Sequence, residues 1–88
     1  MTPAEWRAVL AAGVRANPVA PPDRPEMLAR LDDPSDPLPF AELEFDSLAK
    51  LELCIWLELE RGVVVTEADM AEQASLASLA AHLAAHAG

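Results

Sequence analysis

The chain has 88 residues, 52% of them hydrophobic, and 15 Asp and Glu against 6 Lys and Arg give it a formal net charge of −9. This acidity excludes a basic nucleic-acid footprint and attraction to an anionic membrane surface. The apolar fraction is too high for a disordered acidic tail, and the length suits one small domain, residues 1–88, with one modest core.

The first predicted element is a helix over residues 2–16. Thr2 and Glu5 fit a capping box, and Pro3 suits the first helical position. Its apolar face consists of residues at helical spacing: Trp6, Val9, Leu10 and Val14.

A long Pro-rich loop is predicted over residues 17–44, which hold seven of the eight prolines. Residues 26–31 favour a short helix within it, anchored by Met27, Leu28 and Leu31. Because the loop lacks a compact P-x-x-P cluster with basic flanks, we interpret it as a loop that packs over the core rather than as a polyproline ligand.

A second strong helix is predicted over residues 47–61, with Asp46 as N-cap and Gly62 just past its end. After an extended connector at 63–65, Thr66 caps a short helix that reaches about residue 73. Ser75 caps a last helix whose apolar stripe comprises Leu76, Leu79 and Leu83. No segment alternates like a strand, so the predicted fold is all-α.

Two apolar stripes run along the second strong helix, although one is normally enough to hold a surface helix to its core. The first contains Leu48, Leu51, Ile55 and Leu59, and the second contains Leu53, Cys54 and Leu57. Either the helix is central and packs on both sides, or part of the first stripe meets a partner. The spacing does not decide which stripe faces the core.

The segment 45–48, Phe-Asp-Ser-Leu, places the Ser47 hydroxyl at the start of this helix. Asp46 or Ser47 could simply cap the helix, and D-S-L alone is common by chance. Its context is more specific, because it joins a Pro-rich loop in a small acidic chain to an apolar helix bearing Glu52, Glu58 and Glu60. Over about residues 43–83 the chain resembles the acyl carrier protein family, including the carrier domains of polyketide and peptide synthesis.

The resemblance implies a four-helix bundle with a long loop after helix 1 and a short third helix. It implies that a phosphopantetheinyl transferase attaches a 4′-phosphopantetheine arm to Ser47, with Asp46 in the recognition site. The arm's thiol would hold an acyl or aminoacyl group as a thioester. A phosphodiester on Ser47 would lie at a helix N-terminus, where N–H groups and the helix dipole favour negative charge.

The resemblance also assigns the two stripes. Leu48, Leu51 and Ile55, with Glu52 beside them, match the face that partner enzymes read, which leaves Leu53 and Leu57 to the core. Residues 42–72 hold nine Asp and Glu against two Lys and Arg. We therefore expect the acyl-loading, condensing or tailoring enzymes that act on this chain to present basic patches.

Other candidate groups favour a non-catalytic, metal-free protein. No base accompanies Ser47, there is no G-x-S-x-G motif, and both histidines lie near the far end of the chain. His82 and His86 have a metal-compatible spacing but no third ligand, so we expect them on the helix surface. Cys54, the only cysteine, permits no intramolecular disulfide and indicates a reducing compartment with the thiol as a small core residue.

The lack of a recognisable signal peptide or membrane-spanning run favours a cytoplasmic location. Glu5 and Arg7 interrupt any signal-peptide pattern, and no apolar run approaches the roughly 20 residues needed to cross a bilayer. We expect a free-standing, monomeric carrier with an undetermined cargo. The alternative is an unmodified helical adaptor that binds a partner through the stripe from Leu48 to Leu59.

Three positions depart from the family pattern. Glu44 stands where glycine is common, which could change how the chain approaches the helix. Arg61 precedes Gly62 where an aromatic is usual, so Trp56 or Leu59 would have to supply the missing core group. Lys50 is unusual on a helix expected to be acidic or apolar.

Overall fold

The computed structural model describes residues 1–86 and confirms the all-α prediction. Within this range there is no strand, only an isolated antiparallel bridge between Pro39 and Ser75, and no helix is long and apolar enough to cross a membrane. The short α4 and the three longer helices α1, α3 and α5 form the expected bundle, while α2 lies within the loop. The helices are α1 (Pro3–Arg15), α2 (Pro25–Asp32), α3 (Ser47–Arg61), α4 (Glu67–Ala71) and α5 (Leu76–His86).

The helices begin at the predicted caps. Thr2 and Glu5 form the reciprocal capping box, with the Glu5 N–H donating to Thr2 Oγ1 over 3.1 Å. The Thr66 hydroxyl accepts from the Asp69 N–H at 3.0 Å and starts α4. The Ser75 hydroxyl accepts from the Ser78 N–H, also at 3.0 Å, ahead of α5. Local side-chain chemistry therefore sets the helix boundaries within two residues of the predictions.

The core forms where α1 packs against α5 and against the buried side of α3. Gly13 allows α1 to approach α3 closely, because a Cβ at this position would lie 2.7 Å from the Trp56 ring and 2.8 Å from the Leu53 side chain. Trp56 packs partly buried against the core, whereas Leu59 is 79% exposed. Of the two residues that could replace the missing core group, only Trp56 packs against the core.

The Pro-rich loop packs over the core, as interpreted from its composition. Its C-terminal part is held to the start of α5 by backbone hydrogen bonds, from the Phe40 N–H to the Ala74 carbonyl at 2.9 Å and from the Leu76 N–H to the Leu38 carbonyl at 3.1 Å. The chain between α2 and α3 in turn contributes four buried apolar side chains, Leu38, Phe40, Leu43 and Phe45. It therefore supplies part of the hydrophobic core and delivers the chain to the start of α3.

Arg7 is a buried feature of the core that the sequence analysis did not identify. Only 3% of its surface is exposed, and its guanidinium donates hydrogen bonds of 3.0–3.3 Å to four backbone carbonyls, those of Arg30, Leu31, Asp33 and Asp36. Desolvation lowers the pKa of Arg7, opposed by the charges of Asp36 and Asp33. A side chain of α1 thus caps the C-terminus of α2 and holds the turn that follows.

Glu44 takes the backbone conformation that its glycine-like position suggests. Its φ is 58°, in the left-handed region that glycine adopts without steric penalty. At the level of the backbone, the chain therefore approaches α3 through a glycine-like turn. It makes this turn with a non-glycine residue and accepts the strain.

Replacing Arg7 with methionine should lower the free energy of unfolding by about 3 kcal/mol, because buried carbonyls lose their donors. Arg15→Met is the matched control on the same helix. Arg15 pairs with Asp32 at 2.6 Å with both side chains substantially exposed, so its loss should amount to less than about 1 kcal/mol. Urea unfolding of both variants measures the difference, and equal losses would contradict the role assigned to Arg7.

Replacing Glu44 with glycine should raise the free energy of unfolding by about 0.5–1 kcal/mol. Relief of left-handed strain outweighs the added entropy of the unfolded chain. Gly62→Ala tests the same physics in reverse, since Gly62 has φ 65° and a Cβ added there would meet no atom within 4 Å. It should lose about 1 kcal/mol. Thermal and urea unfolding measure both changes, and a less stable Glu44→Gly protein would show that the strain is not released.

Candidate functional site

Ser47 is the first residue of α3, and its side chain is exposed. The preceding Asp46 is the N-cap, and its carboxylate accepts from the Ala49 N–H at 2.8 Å. The Lys50 N–H donates to the Asp46 carbonyl at 3.0 Å. Within the described chain, the N–H groups of Ser47 and Leu48 have no acceptor, so two donors remain free beside the hydroxyl. The helix start can therefore receive an anion on Ser47.

Asn17 fixes the position of this helix start. It is 3% exposed, and its Nδ2 donates to the Ala49 carbonyl at 2.9 Å. Its Oδ1 accepts from the N–H groups of Val19 and Ala20, at 2.9 and 3.0 Å. One buried amide thus ties the end of α1 and the following turn to the first turn of α3. Every hydrogen-bonding group of this side chain but one N–H is used, as expected for a buried amide.

The structure decides which apolar stripe of α3 faces the core. Leu53 and Leu57 are fully buried and Cys54 nearly so, in agreement with the assignment implied by the family resemblance. The first stripe lies on the surface, with exposed fractions of 53% for Leu48, 37% for Leu51, 41% for Ile55 and 79% for Leu59. Ser47 lies at one end of this exposed stripe, and Glu52, which is half-buried, lies beside it. The predicted partner-facing residues are therefore accessible together.

A cavity of about 270 Å³ opens beside Ser47 between α3 and α4. Its lining is mainly apolar with one cation and one anion, and comprises Ser47, Lys50, Leu51, Cys54, Glu67, Met70 and Ala71. Sequence analysis found the α3 members but assigned no role to those from α4. Helical periodicity does not say which helix lies opposite α3. Only the tertiary structure brings α4 next to the serine.

Cys54 belongs to both the core and the wall of this cavity. Burial raises the pKa of its thiol, and the negative charge of Glu67 raises it further. The thiol is thus held in its neutral form, which is a poor nucleophile. The prediction of a small apolar core residue is confirmed by its burial.

The two histidines lie at the end of α5, away from Ser47 in sequence. Their ring centroids are 4.6 Å apart, with His86 exposed and His82 half-buried. In the part of the chain that the structure describes, no group of three or more His, Cys, Asp or Glu side chains is arranged to hold a metal ion.

Some acidic residues of the loop form ion pairs, whereas those of α3 form none within residues 1–86. Arg30 donates to both oxygens of Asp36, at 2.8 and 3.1 Å, and to Glu42 at 2.7 Å. These hydrogen bonds lower the pKa of Asp36 and of Glu42. Glu42 is therefore committed to the loop, whereas Glu52, Glu58 and Glu60 on α3 make no ion pair with the residues that the structure describes. These three α3 carboxylates are therefore free to meet positive charge on a partner.

Comparison with known proteins agrees with this geometry. Searches of curated proteins and of solved structures gave no match. A protein-family model, described as the phosphopantetheine attachment site, matches residues 26–83, which is more than half of the chain. The match includes all of α3, which begins at Ser47, and all of α4. Members of this family are non-catalytic acyl carriers with covalently attached 4′-phosphopantetheine, and they interact with enzymes that include phosphopantetheinyl transferases. The chain belongs to the phosphopantetheine attachment-site family.

Proposed function

We propose that the chain is a free-standing acyl carrier protein whose Ser47 bears the 4′-phosphopantetheine arm. The observation that carries this proposal is the exposed Ser47 hydroxyl at the start of α3, inside the segment matched by the family model. When attached, the arm supplies a thiol that holds an acyl or aminoacyl group as a thioester. The protein's own part is to display the arm and to be recognised by partner enzymes.

The residues around Ser47 suit attachment of a phosphodiester. In the transfer from coenzyme A, the Ser47 Oγ forms a bond to phosphorus, the pyrophosphate bond breaks and adenosine 3′,5′-bisphosphate leaves. Among residues 1–86 no basic side chain bonds to the Ser47 hydroxyl, so we assign removal of the serine proton to the transferase. The free N–H groups of Ser47 and Leu48 then face the new negative charge, which the helix dipole also favours. Asp46 keeps the first turn of α3 closed through its bond to Ala49.

The exposed stripe of α3 gives the enzymes a surface to dock on. Leu48, Leu51 and Ile55 offer apolar contact next to the arm. Glu52 and Glu58 lie along the edges of the stripe and match basic patches on acyl-loading, condensing or tailoring enzymes. Small apolar contacts rimmed by charge suit fast, reversible encounters, as a carrier that visits several enzymes requires.

An alternative function follows from the same exposed stripe. A helical adaptor that is never modified would also present Leu48, Leu51, Ile55 and Leu59 to a protein partner. The two functions differ in whether Ser47 accepts an arm, so covalent modification separates them.

Incubation of the purified chain with coenzyme A and a broad-range phosphopantetheinyl transferase should add the mass of one phosphopantetheine. Intact-protein mass spectrometry measures the gain. Ser47→Ala should abolish the gain, whereas Ser35→Ala, a change of another exposed serine in the loop, should be modified like the parent. Absence of any gain under conditions that modify a control carrier would refute the carrier proposal and favour the adaptor.

Replacing Glu52 with lysine should slow modification by the transferase several-fold at low salt, because charge complementarity raises the association rate. Glu60→Lys makes the same charge change about two turns further along α3, and we expect a smaller effect there. Circular dichroism should show unchanged helicity in both variants. Equal rates for the parent and Glu52→Lys at low ionic strength would remove Glu52 from the docking face.

A further inference from the structure

Lys50 is the one basic residue of α3 that lines the cavity beside Ser47. Its side chain is half-buried. Its Nζ lies 5.5 Å from the centroid of the Phe40 ring, a distance typical of a weak cation–π contact. Phe40 is itself fixed, since it is 2% exposed, stacks on Phe45 and bonds through its N–H to Ala74. The Lys50 side chain thus lines the cavity while its ammonium rests against a fixed ring.

This ammonium has no anionic partner among residues 1–86. Arg15 and Arg30 form ion pairs with carboxylates, and Arg7 is saturated by backbone carbonyls. Lys50 has neither a salt bridge nor a side-chain hydrogen bond in the described chain. Glu67 lies on the same cavity wall but is not within ion-pair distance. A half-buried lysine without a carboxylate partner in the described chain can still receive an anion.

We propose that Lys50 is a positioning residue for the phosphopantetheine arm. Its ammonium pairs with the phosphodiester on Ser47 and directs the arm into the cavity between α3 and α4. This inference rests on the proposed function, because it requires the arm on Ser47. It assigns the unusual lysine a role in setting how often the arm is docked rather than extended.

Helix geometry brings the two groups together. Ser47 and Lys50 are three residues apart on α3, and side chains at this spacing are neighbours with Cβ atoms about 5–6 Å apart. The phosphodiester carries one negative charge, so it is a stronger partner for an ammonium than the ring of Phe40. The lysine stem has enough rotatable bonds to move from the ring to the phosphate without any backbone change.

The rest of the cavity gives the arm a direction. Beyond Ser47 and Lys50 the wall consists mainly of the apolar groups of Leu51, Cys54 and Met70. A phosphodiester held on the Lys50 side has its chain leading toward this wall, where apolar parts of the arm or cargo leave water. Without the ammonium, the helix N–H groups at Ser47 and Leu48 would remain to hold the phosphate.

The experiment compares the phosphopantetheine-loaded parent with loaded Lys50→Met by ³¹P NMR and by nuclear Overhauser contacts between arm protons and the Met70 methyl group. In Lys50→Met the ³¹P resonance should shift, and the Overhauser contacts should weaken about fivefold, the factor expected for one ion pair in water. The parent should approach the variant as salt is raised to about 0.5 M NaCl, because added ions screen the pair.

Arg61→Met is the matched control, since it removes a positive charge from the same helix at an exposed position outside the cavity. It should keep the ³¹P shift and the Met70 contacts of the parent. Lys50→Gln provides a second variant if Lys50→Met loses its helical circular dichroism signal. Unchanged signals in folded, loaded Lys50 variants would overturn the inference, as would equal changes in Arg61→Met. Failure of the parent to accept the arm would instead refute the carrier proposal, so the two failures are distinguishable.

Discussion

The buried guanidinium of Arg7 joins α1 to the end of α2 and to the turn that follows it. The helix ladder of α2 does not supply enough donors for its last carbonyls or for those of the turn that follows, so these carbonyls need donors from elsewhere. Arg7 supplies five N–H bonds to four of these carbonyls from the middle of α1. With α2 and its following turn fixed in this way, the apolar side chains from Leu38 to Phe45 can reach the core. The loop then arrives at α3 from a defined direction.

The start of α3 is where these restraints meet. Asp46 closes the first turn, Asn17 bonds to it from the end of α1, and Glu44 bends the chain into it with a left-handed residue. Together they hold one exposed hydroxyl in place while the helix behind it stays packed on its core side. A mobile cofactor requires an accessible attachment point on a rigid support.

Sequence reasoning succeeded where the signal is local. Caps at Thr2, Asp46 and Thr66 and the glycine after α3 are written in adjacent residues, and the structure confirms them. It failed where the signal is a contact between distant segments. Arg7 lies three residues before Leu10 on the apolar face of α1, which is a visible anomaly, but its carbonyl partners are 23 to 29 residues away. The α4 side of the cavity was missed for the same reason, since periodicity marks a buried face without naming its neighbour.

The position of Ser47 also depends on Gly13, which packs against the core side of α3. There is no room at this position for even a methyl group between α1 and the side chains of Leu53 and Trp56. A larger residue would act as a wedge and tilt α3 about its contact with α1. Because α3 is a stiff rod of 15 residues, such a tilt would carry the serine and the exposed stripe with it. The absence of a side chain at Gly13 thus sets the orientation of the surface that we propose for docking.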